Sequence, residues 1–91
     1  MGKSESFGAY VKAARRNRGE SLRQLESRCG VPNSTISRVE DGIFAVPSPD
    51  VLIALVDALD LDVVTAVKLI PAYRNLYERI VAAIRKGGIN D

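Results

Sequence analysis

The segment SLRQLESRCGVPNSTISRVEDG, residues 21–42, decides the fold, because its pattern predicts two short helices joined by a glycine turn. A serine followed three residues later by a glutamine forms a capping box at its start. Apolar residues then recur at helical spacing up to a glycine that can adopt the left-handed conformation of a helix end. The pattern predicts one helix over residues 22–29 and a second from Pro32 or Asn33 to Gly42.

The second predicted helix has two unlike faces. Ile36 and Val39 recur at i, i+3 and face inward together with Glu40. The opposite face carries four polar side chains, Asn33, Ser34, Ser37 and Arg38. Short hydrogen-bonding side chains and an arginine suit the edges of bases in the major groove of DNA, although a helix that only faces solvent can carry the same residues.

The same segment and its flanks resemble the lambda-repressor-like (Xre-type) helix-turn-helix family over residues 7–70. The matching positions are Arg15, Gly19, Ser21, Leu25, Gly30-Val31, Ser34-Thr35-Ile36-Ser37, Glu40, Gly42, Pro47-Ser48 and Ala58-Leu59. The run GVPNSTISRVEDG contributes most to the match. The resemblance implies an all-α domain of five helices that binds double-stranded DNA sequence-specifically, with the second motif helix in the major groove.

The polar face and the family resemblance together predict roles for individual residues. Base contacts are expected from Asn33, Ser34, Ser37 and Arg38. Phosphate contacts are expected from Ser21, Arg23, Gln24 and Thr35, near helix starts whose free backbone N–H groups suit phosphate oxygens. The resemblance further implies a structural ion pair between Arg15 and Glu40, which joins the first helix to the second motif helix.

Three residues depart from the family pattern. Glu20 stands where an apolar residue is common, and Leu22 where a phosphate-binding glutamine is common. Glu26 stands where a small residue usually lets the two motif helices meet. Its carboxylate must reach solvent along its stem, find a basic partner or push the helices apart, and the sequence leaves these three alternatives open.

Composition limits the class of protein. The chain has 91 residues, 46% of them hydrophobic, which suits one small domain. With no histidine and one cysteine, the usual zinc sites, a Ser-His-Asp or Cys-His nucleophile and an intramolecular disulfide are excluded. We therefore expect no catalytic residue, no metal, no cofactor and no small-molecule ligand, and hence no enzyme.

Charge and hydropathy indicate the partner and the compartment. Residues 1–46 hold eight Lys/Arg against five Asp/Glu, whereas residues 47–91 hold five against six. The basic excess therefore lies with the motif, as a phosphate-facing surface requires. Charges interrupt the apolar runs and no apolar signal core is present, so the sequence predicts a cytoplasmic protein that does not span a membrane.

The flanking segments predict further helices and no β-sheet. Helix starts are expected at Ser4 or Ser6, at Ser48, and at Asp60 or Asp62, with Phe44 packing beneath the second motif helix. We assign residues 1–70 to the DNA-binding domain and residues 71–91 to a separate C-terminal helix.

The C-terminal helix, over residues 71–86, presents one apolar stripe: Tyr73, Leu76, Tyr77, Ile80 and Ile84. The stripe is predicted to form the interface of a homodimer, because useful affinity calls for two copies on half-sites about one helical turn, ~34 Å, apart. The alternative is that the helix docks on its own domain, covering Val64 and Val67.

The function expected from these features is that of a repressor-like transcriptional regulator of phage, mobile-element or bacterial operon type. One alternative is the operator-binding antitoxin of a toxin-antitoxin pair, which would co-purify with a second small protein. The other is a protein-interaction module that has lost DNA binding. In that module, replacing Asn33, Ser34 or Arg38 would leave affinity for every DNA unchanged.

Overall fold

Six α-helices form the chain over the residues that the structure describes. The computed structural model describes residues 6–43 and 46–87, and this part of the chain contains no strand. The helices are α1 (Phe7–Asn17), α2 (Leu22–Cys29), α3 (Asn33–Glu40), α4 (Pro49–Leu59), α5 (Val63–Lys68) and α6 (Pro71–Arg85). The predicted all-α fold with a helix-turn-helix and an additional C-terminal helix is confirmed. The predicted packing of Phe44 lies outside the described residues.

Side-chain caps set the starts of four helices, and α2 has the capping box described below. The hydroxyls of Ser6 and Ser48 and the carboxylate of Asp62 each accept a hydrogen bond from the backbone N–H three residues further on. Each cap supplies an acceptor to a helix N–H that has no partner within the helix. Asp60 instead ends α4 with a φ of 55°. Of the two serines predicted to start α1, Ser4 lies outside the described residues.

One apolar core holds α1 to α5 together. Its largest fully buried side chains are Val11, Leu25, Ile36, Leu55 and Ile70, one each from α1, α2, α3 and α4 and one from the residue that precedes α6. Burying each such side chain stabilises the fold by about 1.5–3 kcal/mol. Because α3 packs against both α1 and α2, the core fixes which face of α3 points outward.

The tyrosine edge of α6 docks on the rest of the domain. Tyr73 is half-buried against the core, and its hydroxyl donates a 2.7 Å hydrogen bond to the backbone oxygen of Pro47. The Lys68 amine lies 5.5 Å from the ring centroid of Tyr77. The docking alternative predicts that α6 covers Val64 and Val67. Val67 packs against the core, whereas Val64 stays 38% exposed.

The remainder of the apolar stripe of α6 is exposed. Leu76, Ile80 and Ile84 are 56%, 47% and 52% accessible to solvent. The structure therefore divides the stripe into a docked tyrosine edge and an aliphatic edge without a cover. No helix within residues 6–43 and 46–87 is long and apolar enough to cross a membrane.

Candidate nucleic-acid interface

The start of α2 is fixed by a reciprocal pair of hydrogen bonds. The hydroxyl oxygen of Ser21 accepts from the backbone N–H of Gln24 at 3.1 Å, and the amide oxygen of Gln24 accepts from the N–H of Ser21 at 2.7 Å. At the other end, Gly30 has a φ of 78° and donates its N–H to the backbone oxygen of Glu26. Glycine adopts this left-handed conformation at little energetic cost, so the chain reverses between α2 and α3 without strain.

A nearly buried ion pair fixes the inner side of α3. Arg15 donates from Nε and Nη2 to the two carboxylate oxygens of Glu40 at 2.7 and 2.9 Å. Its Nη1 donates to the backbone oxygen of Glu20 at 2.8 Å. Hydrogen bonding to Glu40 raises the pKa of Arg15 above its ordinary value. The structure thus joins the C-terminal end of α1 to the last turn of α3, and this contact fixes the rotation of α3 about its axis.

The predicted base-contacting residues lie on the outward side of α3. Ser34 and Arg38 are exposed, and Asn33 and Ser37 are half-buried. Arg38, Ser34 and Ser37 make no side-chain hydrogen bond or ion pair with any other residue in the described ranges. Their donors and acceptors are therefore available to an external partner.

The predicted phosphate-contacting residues lie at or near the starts of α2 and α3. Arg23 is exposed on α2, and Thr35 is half-buried where α3 approaches the start of α4. The capping box uses the oxygens of Ser21 and Gln24 as acceptors, which leaves the hydroxyl proton of Ser21 and the amide NH₂ of Gln24 as donors. Donors held in place in this way suit phosphate oxygens, which only accept.

The partner of Glu26 is none of those considered from the sequence. Its Oε1 accepts a 2.7 Å hydrogen bond from the side-chain amide of Asn33, the first residue of α3. Within the described ranges, no lysine or arginine forms an ion pair with Glu26. A neutral amide therefore accommodates this carboxylate between the helices, seven residues further along the chain.

Glu20, the other unusual carboxylate, lies between arginines. Arg28 donates to both of its oxygens, at 2.6 and 2.8 Å, and the Nε of Arg18 lies 3.7 Å from it. The hydrogen bonds from Arg28 hold the pKa of Glu20 below its ordinary value. This pair was not predicted from the sequence, because the two residues are eight positions apart and meet only once the α1–α2 turn has formed.

Gly8 is a further residue that the sequence did not single out. A Cβ at this position would lie 2.8 Å from the backbone oxygen of Glu40 and closer still to that of Val39. Only glycine therefore allows α1 to approach the C-terminal end of α3 so closely. A glycine inside a helical apolar stripe was the available signal.

The described residues of this surface offer charged and hydrogen-bonding groups. Within the described residues, no cluster of three or more His, Cys, Asp or Glu side chains is placed to hold a metal ion. The surface consists of an outward helix face with free polar groups, bordered by donors at two helix starts.

Comparison with known proteins identifies the family. The sequence profile of a helix-turn-helix domain matches residues 6–68. This match covers more than half of the chain, and the protein belongs to the helix-turn-helix family. The lambda-repressor-like resemblance is thereby confirmed.

Two curated relatives are similar to the chain. One is the uncharacterized HTH-type transcriptional regulator y4dL of Sinorhizobium fredii, 37% identical over 82 residues, which are 89% of this chain and 41% of the relative. The other is the HTH-type transcriptional repressor RghR of Bacillus subtilis, 39% identical over 57 residues, which are 63% of this chain and 42% of the relative. The chain thus spans about two fifths of the length of these relatives. No solved structure gives a significant match.

Proposed function

We propose that the protein binds double-stranded DNA sequence-specifically and regulates transcription by doing so. The observation that carries the proposal is the division of α3 into two sides. Its inner side is held by the core and by the Arg15–Glu40 pair, whereas Ser34, Ser37 and Arg38 on its outer side have no partner among the described residues. A helix of this width enters the major groove, and Arg38 has the geometry for a bidentate contact with guanine.

The starts of α2 and α3 support this docking. Arg23, the hydroxyl proton of Ser21 and the amide of Gln24 are free to donate to phosphates on one side of the groove. Thr35, at the start of α3, borders the other side. Such contacts place the protein on the duplex and supply affinity that does not depend on sequence.

Repression is the finer form of regulation that we propose. The relative from Bacillus subtilis is named a transcriptional repressor. A helix-turn-helix domain that occupies a promoter site can act by excluding other proteins from it. A phage, mobile-element or operon setting follows by analogy with the family.

We also propose that the protein binds DNA as a homodimer through the aliphatic edge of α6. Leu76, Ile80 and Ile84 form one exposed row on a helix that the tyrosine edge already fixes to the domain. An apolar row of this kind, bordered by charged residues, is typical of an interface between copies. Residues 71–91 would then form a dimerisation segment attached to the DNA-binding residues 1–70.

Selection of bound sites from random duplexes tests DNA binding. The wild type is expected to enrich one site, and Arg38→Ala to lose its preference at a guanine while it retains weak, salt-sensitive binding to any duplex. Arg79→Ala, which removes an exposed arginine from α6, is the control and should keep the preference. If Arg38→Ala and the wild type select the same bases equally strongly, the assignment of Arg38 is wrong.

The same experiment separates the alternatives. A protein-interaction module would enrich no site, and its affinity for DNA would not respond to changes on α3. An antitoxin would enrich an operator and would also co-purify with a second small protein from its native host.

Sedimentation tests the dimer. Leu76→Glu is expected to give monomers and to weaken binding to a palindromic site. Ile53→Glu is the matched control, because Ile53 is exposed to a similar extent, 58% against 56%, but lies on α4. A wild type that is monomeric at tens of micromolar, both free and on a palindromic site, would exclude this interface.

A further inference from the structure

The hydrogen bond between Glu26 and Asn33 links the interior of the motif to its outer face. Asn33 is the first residue of α3, where a helix in the major groove comes closest to the bases. Its Nδ2 lies 2.7 Å from the Oε1 of Glu26, and both side chains are half-buried. This bond determines what Asn33 can present to DNA.

The carboxylate of Glu26 fixes the orientation of the side-chain amide of Asn33. A carboxylate only accepts hydrogen bonds, so the NH₂ group of Asn33 must face Glu26. The Oδ1 of Asn33 then points away from Glu26, and it accepts no hydrogen bond from another described residue. Turning the amide over would bring Oδ1 against the carboxylate, which is repulsive. An asparagine without such a partner has both orientations available.

Glu26 also lies beside the start of α3. The residue before α3 is Pro32, and α3 has no side-chain cap. The first turn of a helix carries partial positive charge, which stabilises a carboxylate nearby. Glu26 therefore receives stabilisation from the start of α3 together with the bond from Asn33, and it needs no arginine or lysine.

We propose that Glu26 is a specificity-determining positioning residue, which acts through Asn33 to select adenine at one position of the DNA site. This inference rests on the proposed function. With one N–H directed to Glu26, Asn33 keeps one N–H and Oδ1 for a base. Adenine offers N7 as an acceptor and N6 as a donor, and it satisfies both groups. Guanine offers two acceptors, N7 and O6, and O6 would oppose Oδ1.

The test compares single and double variants by site selection and competition binding. Asn33→Ala first identifies the position, because the base preference should relax at that position and at no other. At that position the wild type should prefer adenine to guanine by roughly 5- to 150-fold, the range for a good bidentate contact. Glu26→Gln should reduce the preference about twofold or more, because the neutral amide of glutamine accepts from Asn33 in one orientation and donates to it in the other, so that the adenine-selecting orientation of Asn33 is no longer enforced.

The double variant, Asn33→Ala with Glu26→Gln, should add nothing at that position to Asn33→Ala alone, since Glu26 acts through Asn33. The guanine preference of Arg38 should persist in Glu26→Gln, and it serves as an internal control for an intact α3. Thermal unfolding verifies that each variant is folded.

Three results would overturn the inference. In the first, Glu26→Gln keeps the full adenine preference; this result would contradict the role of Glu26 but not DNA binding by α3. In the second, Glu26→Gln relaxes every position equally, which shows that Glu26 only supports the fold. In the third, Asn33→Ala relaxes no position. A wild type that enriches no site at all would instead contradict the proposed function itself.

Discussion

Removing either partner of the Arg15–Glu40 pair is expected to destabilise the domain, and the two losses should differ. Arg15→Met leaves the Glu40 carboxylate, whose side chain is only 4% exposed, without a hydrogen bond from a described residue. Glu40→Leu leaves a guanidinium that is 11% exposed and keeps its bond to the backbone oxygen of Glu20. The arginine substitution is therefore the more damaging of the two.

The magnitude follows from the burial of the pair. Removing one partner of a buried ion pair costs about 3–5 kcal/mol, because the remaining charge stays desolvated. We expect Arg15→Met near the upper end and Glu40→Leu near or below the lower end. A small domain has a free energy of unfolding of about 5–15 kcal/mol in total. Arg15→Met, at about 5 kcal/mol, should therefore lower the melting temperature by ~20 °C or more.

Chemical denaturation of both single variants and the double variant measures the coupling between the two residues. The double variant, Arg15→Met with Glu40→Leu, should recover most of the loss, because an apolar pair of similar volume is often neutral or stabilising relative to an ion pair. Arg18→Met, at an exposed pair in which N and O are 3.7 Å apart, is the control and should cost less than ~1 kcal/mol. Additive losses, or a larger loss for Glu40→Leu, would refute this reasoning.

Three further substitutions give separate tests. Gly8→Ala should destabilise the fold by about 1–3 kcal/mol in denaturation experiments, because its Cβ meets the backbone of α3; a gain in stability would contradict the close approach of α1 and α3. The lowered pKa of Glu20, ordinarily 4.5, implies stability that is present above this pH and lost below it. The difference in unfolding free energy between the wild type and Glu20→Gln should therefore shrink as the pH falls below 4.5 and through the lowered pKa, and a difference that stays constant would contradict this reasoning. Arg23→Ala should weaken DNA binding uniformly across sequences and reduce the slope of log K against log salt by about 0.9, whereas an altered base preference would assign Arg23 to the bases.

Most of the fold was predictable because its signals are local. The starts of α1, α2, α4 and α5 each depend on a side chain within three residues of the N–H group that it caps, as at Ser48. The apolar spacing in α2 and α3 likewise needs only the periodicity of a helix, and it placed Leu25 and Ile36 in the core. No knowledge of neighbouring elements was required for these predictions.

The contacts that the sequence missed all depend on the packing of helices. The three alternatives for Glu26 did not include an amide, because its meeting with Asn33 requires the angle between α2 and α3. Gly8 looks like an ordinary helix residue until the end of α3 lies against it. The stripe of α6 was regular in sequence, yet docking of Tyr73 left Leu76 exposed, a division that depends on where α5 lies.

The ion pairs of the arginines on α2 and α3 support the same DNA-binding surface as the outward face of α3 does. Arg28, on the side of α2 near the α1–α2 turn, is neutralised by two hydrogen bonds to Glu20. Arg23 and Arg38 are exposed and form no ion pair with any described residue. A carboxylate beside either one would have to be displaced before a phosphate or a guanine could bind, at a cost in affinity. Because Glu20 pairs with Arg28 and Arg18, it leaves Arg23 and Arg38, the two arginines that the proposed DNA complex uses, without a carboxylate partner among the described residues.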